Sequence, residues 1–278
     1  MGQEGLGGPD LTLVLASILR LVSLPQPAWL RDLAGAWIFY SVLPGWPWPE
    51  PRFERIARFA PLIGVVIGAM QAGLWVLLAS FGWHPVACAL LLVAFSVWIT
   101  GGLHFDGLMD TADGLAAGKE RCLEAMVDSR VGASGVQALL LVVLIQLAAL
   151  ISLTSWAPLA LMIAGFWSRC APLWAIGRFP YLRQLDGTAS FHCRHGRGWR
   201  DLIPAGLVLL AAVLVVVFLP LTPSNNLAVL PAIGCGLIPA LAVPQWLGMR
   251  LGGHSGDTYG ASMVLTETIT LFLLALFW

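Results

Sequence analysis

Charged residues are scarce in this sequence. Asp, Glu, Lys and Arg make up 11% of its 278 residues and hydrophobic residues make up 58%, whereas soluble domains have about 25% charged residues. A soluble protein needs a charged surface, so this shortage excludes a large soluble domain and predicts an integral protein of the lipid bilayer. The formal net charge is zero. It gives no basic excess for nucleic acid, and we expect no such partner.

Cysteine is also rare and unpatterned. The five cysteines include no Cys-x-x-Cys pair and no repeated spacing, which argues against a disulfide framework or a zinc site. We also expect no secretory signal in residues 11–24, because Arg20 interrupts this apolar stretch and no small-residue cleavage site follows it. We expect residues 1–28 to form a poorly ordered N-terminal extension and residues 29–278 to form one membrane domain.

Long apolar runs are abundant. A helix crosses the hydrocarbon with about 20 mostly apolar residues, and seven runs approach or exceed this length: 61–82, 84–101, 135–154, 156–178, 202–221, 226–244 and 261–278. Residues 28–44 are a candidate interfacial or re-entrant helix, because Arg31 and Asp32 lie near their start. We therefore predict an all-α, polytopic membrane protein with about seven transmembrane helices.

Basic residues lie in alternate connections between these runs. Lys and Arg are concentrated in four segments, namely 46–60, 102–134, 179–201 and 245–260. The intervening connections contain no Lys or Arg; these are 82–84, 154–157 and 222–225. Cytoplasmic loops hold the Lys and Arg excess, so the long loops are predicted to face the cytoplasm. Nearly all Asp, Glu and His residues lie on the same side, which predicts chemistry at the cytoplasmic face.

The stretch 102–114, GLHFDGLMDTADG, places three aspartates beside an apolar run. Asp106, Asp110 and Asp113 are spaced i, i+4, i+7 and therefore share one face of a helix. Carboxylates this close repel one another, and Mg²⁺, which takes oxygen ligands, removes that repulsion. We predict a catalytic Mg²⁺ site here; the alternative is a solvated acidic helix start. His104 is a candidate general base, phosphate donor or cap.

A second polar stretch, GGHSGDTYG at 252–260, enters the last apolar run. Glycines and hydroxyls at a helix start present backbone N–H groups to an anion, so Gly253, Gly256 and Thr258 are predicted to bind substrate. Asp257 would add a carboxylate to the metal site. The alternative is a flexible turn that a hydroxyl side chain caps.

Arg169 is the one basic residue well inside a predicted span. An unpaired guanidinium is costly there, so a partner is expected. Substrate phosphate is the favoured partner, and the alternatives are Glu267 or snorkelling to the headgroups. Ser129 and Arg130 are also predicted to contact a substrate phosphate. The basic loop 183–200 has two equally good interpretations. It is either a mobile lid or a contact with anionic lipid.

Five motifs together resemble one family. They are GGLHFDGLMDTADGL, MVDSRVGASG, WSR within a span, RFPYLR before a basic loop, and GGHSGDTYGA near the end. In their order and spacing, residues 40–278 are similar to the cobalamin synthases, the adenosylcobinamide-GDP ribazoletransferases. The Thr-Arg-(Leu/Ile)-Pro motif that opens this family is replaced by Ser41-Val-Leu-Pro44. Arg52 and Arg55 are the candidates to supply the missing arginine.

The resemblance implies a Mg²⁺-dependent enzyme of the bacterial inner membrane. Its partners would be adenosylcobinamide-GDP and α-ribazole or α-ribazole 5′-phosphate, which it would join with release of GMP. Mg²⁺ on the predicted aspartates would neutralise charge as the bond to GMP breaks. A carboxylate or His104 would accept the proton of the ribazole hydroxyl. The sequence leaves homo-oligomer formation open.

Two other functions fit part of the pattern. CDP-alcohol phosphatidyltransferases share the start Asp110-Thr-Ala-Asp113-Gly114, but they continue with Ala-Arg where this chain has Ala117-Gly118, and their later aspartates are missing. A divalent-cation transporter would use carboxylate ligands. Transporters place such ligands near the bilayer midplane, however, whereas these residues gather at one face.

Overall fold

The protein is all-α in the part that the computed structural model describes, which is residues 26–183, 189–218 and 223–278. Almost all of the predicted extension 1–28 lies outside this part. The α-helices are α1 (Ala28–Tyr40), α2 (Ala60–Ser80), α3 (Pro85–Ile99), α4 (Leu103–Ala116), α5 (Cys122–Ala125), α6 (Ala133–Leu153), α7 (Ala157–Arg178), α8 (Ser190–His195), α9 (Ile203–Phe218), α10 (Pro223–Gly234), α11 (Leu237–Leu251) and α12 (Gly256–Phe277). Short 3-10 helices cover Ile56–Phe59, Thr154–Trp156 and Gly198–Leu202.

Several stretches are long and apolar enough to cross a membrane. The described residues contain five, or six if α3 and α4 form one bent span: Ile56–Ser80, Ala133–Arg178, Arg200–Phe218, Ala228–Leu251, Gly256–Phe277 and the bent pair. This confirms a multi-pass membrane protein, but it does not confirm seven separate spans. One of the five contains both α6 and α7, which are separated at Thr154, where φ is +46°.

Two predicted spans differ from the structure for physical reasons. The predicted run 226–244 is divided between α10 and α11, because glycines on both sides of Cys235 end one helix before the next begins. The run 84–101 forms only the 15-residue α3. The chain then turns by 89° into α4, and Gly101 and Gly102 make this turn with φ of +62° and +72°, values that glycine adopts without a steric penalty.

The last helix, α12, lies at the centre of the bundle and packs on α4, α6, α7 and α11. Its buried face is partly polar, with Ser262, Thr266, Thr268 and Thr270 nearly or fully inaccessible. Gln146 of α6 donates a hydrogen bond from Nε2 to Thr268 Oγ1 over 2.9 Å. Such interhelical bonds help membrane helices to associate, because lipid offers a polar group no partner. The polar face of α12 therefore fixes the helices that surround the site.

The N-terminal helix α1 has 13 residues, too few to cross a bilayer. It is attached to the bundle through Asp32, whose side chain is fully buried. Arg52 donates to the two oxygens of Asp32 over 2.7 and 2.9 Å, and Arg58 binds the same carboxylate. These ion pairs hold α1 against the segment that precedes α2.

Candidate functional site

A small cavity lies where α4 meets the start of α12. It has a volume of about 70 Å³ and is lined by residues of α1, α4, α7, α8 and α12; we call it the acidic cavity. Four of the residues predicted from the sequence line it, namely His104, Asp106, Gly256 and Asp257. Two motifs separated by about 150 residues of sequence thus meet at one place, as both the sequence pattern and the family resemblance require.

Glycine allows the two helices to approach this closely. A methyl group on Gly107 of α4 would lie 2.6 Å from the backbone oxygen of Asp257, and one on Gly260 of α12 would lie 3.3 Å from the Cα of His104. Real side-chain carbons do not approach backbone atoms as closely as 2.6 Å, so a side chain at Gly107 would push α4 from α12. The glycine in the sequence His104-Phe-Asp106-Gly107 is therefore required for the site to form.

The carboxylates around the cavity carry little compensating charge. Among the described residues, neither the Asp106 nor the Asp110 side chain has a hydrogen bond or an ion pair, and Asp110 is repelled by Asp106, Asp113 and Asp257. Arg183 supplies positive charge here, and its Nη2 lies 2.7 Å from Asp257 Oδ2. Negative charge without a partner favours a bound cation at this place.

Asp113 has a different environment from the other two aspartates of α4. Its Oδ2 accepts a hydrogen bond from the Gly132 backbone N–H and its Oδ1 accepts one from the Gly135 N–H, both over 2.8 Å. The carboxylate thus stabilises the first turn of α6, where free N–H groups point outwards. Both oxygens of Asp113 therefore already accept hydrogen bonds from the backbone. The i, i+4, i+7 spacing did not predict this.

A metal site of three or more side chains is not preformed: the described residues contain no group of three or more His, Cys, Asp or Glu side chains arranged to hold a metal. Mg²⁺ is usually bound by one or two carboxylates together with substrate phosphates and water. Asp106 and Asp110, which lack partners among the described residues, fit that smaller donor set. Asp257 fits it less well because it already binds Arg183 and Ser255.

The glycine-rich turn at 252–255 is a packed structure, which corrects two predicted binding residues. Thr258 is fully buried and forms a capping box with Ser255 at the start of α12, so its hydroxyl has no access to a substrate. Gly253 is packed against Pro180 and Leu182, and His254 pairs with the backbone of Pro180 and Leu182 over 2.9 and 2.7 Å. Only Gly256 of the three predicted residues lines the cavity.

Arg169 has a protein partner. Its Nη1 donates to Glu267 Oε2 over 2.9 Å and to Ser168 Oγ over 2.8 Å, and the Arg169 side chain is only 3% exposed. The favoured prediction of a phosphate ligand is thus replaced by the alternative, an ion pair between α7 and α12. The physical reason is that a buried guanidinium needs an anionic partner, and the Glu267 carboxylate lies within hydrogen-bond distance of it.

Ser129 and Arg130 do not reach the acidic cavity. Both are exposed, and Arg130 pairs with its near neighbour Asp128 over 2.6 Å. Hydrogen bonds from Arg130 lower the pKa of Asp128 to about 2. Arg130 lies instead on an open depression of about 440 Å³ that it shares with Asp113 and Arg121. If Ser129 and Arg130 contact the substrate as predicted, the contact must occur on that side of α4.

A second cavity beside the acidic cavity was not predicted from the sequence. It has a volume of about 270 Å³ and is lined by Arg55, Arg58 and His192, with Asp201, Phe179 and Tyr181 among its other walls; we call it the arginine cavity. His192 lines both cavities. The repeated spacing Arg52-x-x-Arg55-x-x-Arg58 was the available signal, although it gave no indication of the distant segments that complete the walls.

Comparisons with known proteins identify the family of this chain. The model of the cobalamin-5-phosphate synthase family matches residues 32–275. An adenosylcobinamide-GDP ribazoletransferase of Prochlorococcus marinus (strain MIT 9303) is 63% identical over 90% of this chain and 96% of its own length. The protein with the same name from Thermosynechococcus vestitus is 41% identical over 87% of this chain and 94% of its own. No solved structure matches the chain. With the family model covering most of its length and both polar motifs meeting in one cavity, the chain belongs to the cobalamin-5-phosphate synthase family.

Proposed function

We propose that this protein joins α-ribazole, or its 5′-phosphate, to the cobinamide phosphate of adenosylcobinamide-GDP and releases GMP. The observation that carries the proposal is the meeting of His104, Asp106 and Asp257 at one cavity between α4 and α12. The printed names of the relatives supply the substrates. A phosphoryl transfer needs charge neutralisation and a proton acceptor, and residues of both kinds are present here.

Asp106 and Asp110 are the proposed holders of Mg²⁺. When bound, the ion would supply positive charge to the phosphate oxygens of the substrate. The two aspartates fit this role because their side chains have no partner among the described residues. Asp106 lines the acidic cavity, and Asp110 is close enough to Asp106 and Asp257 to be repelled by both. Asp257 also lines the cavity, and its ion pair with Arg183 fixes the position of both side chains.

The reaction is a displacement at phosphorus. The ribazole hydroxyl oxygen attacks the phosphorus nearer the corrinoid, the bond from that phosphorus to the GMP oxygen breaks, and GMP departs with the electron pair. The hydroxyl proton passes to an acceptor at the cavity wall. His104 is well placed for this, since it is 94% buried, lines the cavity and has no hydrogen-bond partner among the described residues. Asp106 is the second candidate acceptor.

The proposed location is the bacterial inner membrane, with the acidic cavity open to the cytoplasm. The support is the charge pattern: Lys and Arg are concentrated in the segments 46–60, 102–134, 179–201 and 245–260, and the connections 82–84, 154–157 and 222–225 contain none. A cysteine introduced at exposed Arg194 should resist an impermeant thiol reagent in intact cells and react after lysis. Strong labelling in intact cells would contradict this orientation.

The decisive experiment measures GMP release by the purified protein. Full-length protein in nanodiscs is mixed with adenosylcobinamide-GDP, α-ribazole and Mg²⁺, and GMP and the corrinoid product are separated by chromatography. We expect both products in equal amounts, and none with EDTA or without α-ribazole. GMP release without α-ribazole would indicate hydrolysis, and full activity in EDTA would contradict the metal role. Parallel reactions with α-ribazole 5′-phosphate show which acceptor is preferred.

A further inference from the structure

The arginine cavity contains two guanidinium groups from one short segment. Arg55 precedes the 3-10 helix Ile56–Phe59 and Arg58 lies within it. Their side chains are 13% and 14% exposed, and both line the cavity. The positive charges are close enough to repel each other. Two nearly buried cations that face one cavity form an arrangement that an anion would stabilise.

Each of the two guanidinium groups has N–H donors without an acceptor among the described residues. Arg55 binds Asp201 through Nη2 and Arg58 binds Asp32 through Nη2. Within the described residues these are their only hydrogen bonds, and both Nε atoms are buried without a partner. The two carboxylates therefore hold the side chains in position and leave donors unsatisfied. Arginine has five N–H donors in a planar fork that suits phosphate oxygens.

A third donor completes the group. His192 is 94% buried and lines the same cavity, and its Nδ1 has no partner in the part of the chain that the structure describes. Two buried arginines and one buried histidine with unmet hydrogen-bonding capacity converge on one space. Phe179 and Tyr181 add flat apolar walls, which suit a base or sugar better than a lone inorganic ion.

We propose that the arginine cavity binds the phosphate of a nucleoside monophosphate, namely the GMP part of the substrate and later the GMP product. This rests on the proposed function and adds a place for the leaving group. His192 lines both cavities, so a diphosphate could extend from the arginines to Asp106. The cation-holding carboxylates and the anion-holding arginines would then lie at opposite ends of the bond that breaks.

The test is a GMP-binding measurement that does not depend on turnover. Full-length protein in phosphatidylcholine nanodiscs is equilibrated with labelled GMP and EDTA, so that no metal on the aspartates contributes. A hydrogen bond to a charged group contributes about 1.5–3 kcal/mol, which corresponds to about a ten- to hundredfold change in affinity. We expect a loss of that size for Arg55→Gln and for Arg58→Gln.

Arg52→Gln is the matched control. Arg52 binds the same Asp32 as Arg58 but does not line the cavity, so its loss tests the effect of weakening the attachment of α1. We expect less than about a threefold change in GMP affinity, since no donor to the ligand is removed. If Arg58→Gln does not fold, Arg58→Lys keeps a charge beside Asp32 and loses the fork. It should weaken GMP binding while the midpoint of thermal unfolding stays close to that of the wild type.

The outcomes separate this proposal from the proposed function. Wild-type affinity in both glutamine variants, or an equal loss in Arg52→Gln, would overturn the cavity assignment even if GMP release is seen. GMP binding that depends on Arg55 and Arg58 would support it even if the transfer reaction fails. A different pair of results would assign the arginines to a lipid headgroup instead. In that case the wild-type protein does not bind GMP, and it enriches phosphatidylglycerol in mixed-lipid nanodiscs while the arginine variants do not.

Discussion

The two ends of α4 carry aspartates that look equivalent in the sequence. In the structure their surroundings differ. Near its start, Asp106 lies on the wall of the acidic cavity and its side chain has no partner among the described residues. Near its end, Asp113 accepts hydrogen bonds from two backbone N–H groups at the start of α6. Helical spacing determines which side chains share a face. Whether a carboxylate stays available to a ligand depends on what the rest of the chain brings to it.

Two other carboxylates are paired as Asp113 is, and both are buried or nearly buried, whereas Asp106 is exposed. Asp32 is bound by Arg52 and Arg58, and Glu267 is bound by Arg169. In a low-dielectric surrounding an unpaired charge is expensive, so such pairs are expected throughout a membrane protein. Asp106 is exposed and Asp110 is only partly buried, so water reduces the cost of leaving them unpaired, and both carboxylates stay available to a ligand.

The largest effect is expected from Asp106→Asn. The substitution keeps the size of the side chain and removes the charge proposed to hold the metal, so turnover should fall about 100- to 10,000-fold. Because Asp106 has no partner among the described residues, the unfolding midpoint should change little. GMP release and thermal unfolding of the same preparation measure both effects. Asp128→Asn, at an exposed carboxylate paired with Arg130, is the control and should remain active.

Breaking the Arg169–Glu267 pair should act on stability. Removing one partner of a buried ion pair costs about 3–5 kcal/mol because the other charge is left buried alone. Arg169→Ala should therefore lower the yield and unfolding midpoint of the protein. The double variant with Glu267→Ala should recover part of the loss, since no isolated charge is left. A double variant that is well folded but inactive would restore a role of Arg169 in the reaction.

Asp113→Asn should cause a smaller loss of stability, which distinguishes the two ends of α4 directly. An amide has one acceptor oxygen, so at most one of the two N–H groups keeps a strong partner, and the loss should be about 1–2 kcal/mol. Unfolding in detergent measures it, and single-turnover rates at a temperature where the variant is folded measure the chemistry. A variant with wild-type stability and no turnover would instead support the metal role predicted from the sequence.

The class of fold and the acidic motif of α4 could be predicted from local sequence pattern. Apolar runs determine membrane helices because lipid selects for length and hydropathy, and the acidic motif of α4 is helical as its spacing predicts. The hydrogen bonds from Gly132 and Gly135 to Asp113 could not be predicted, because they require the chain to return after about 20 residues. The arginine cavity combines segments near 55, 180 and 195, and no local pattern specifies that meeting.

The smallest effect concerns pH and the turn before α12. His254 donates from Nε2 to the Pro244 carbonyl, which can only accept, so Nδ1 accepts from the Thr258 hydroxyl; both distances are 3.0 Å. Burial lowers the pKa of His254 from 6.5 to about 4, an effect partly opposed by the Pro244 carbonyl. The unfolded chain therefore takes up a proton first on acidification, and the stability that the neutral ring contributes declines from pH 6.5 to pH 4. At pH 8 the ring is neutral in both states and there is no such penalty. Unfolding midpoints of wild type and His254→Gln should thus differ more at pH 8 than at pH 5. A difference that does not change with pH would show that folding leaves the pKa of His254 at its ordinary value.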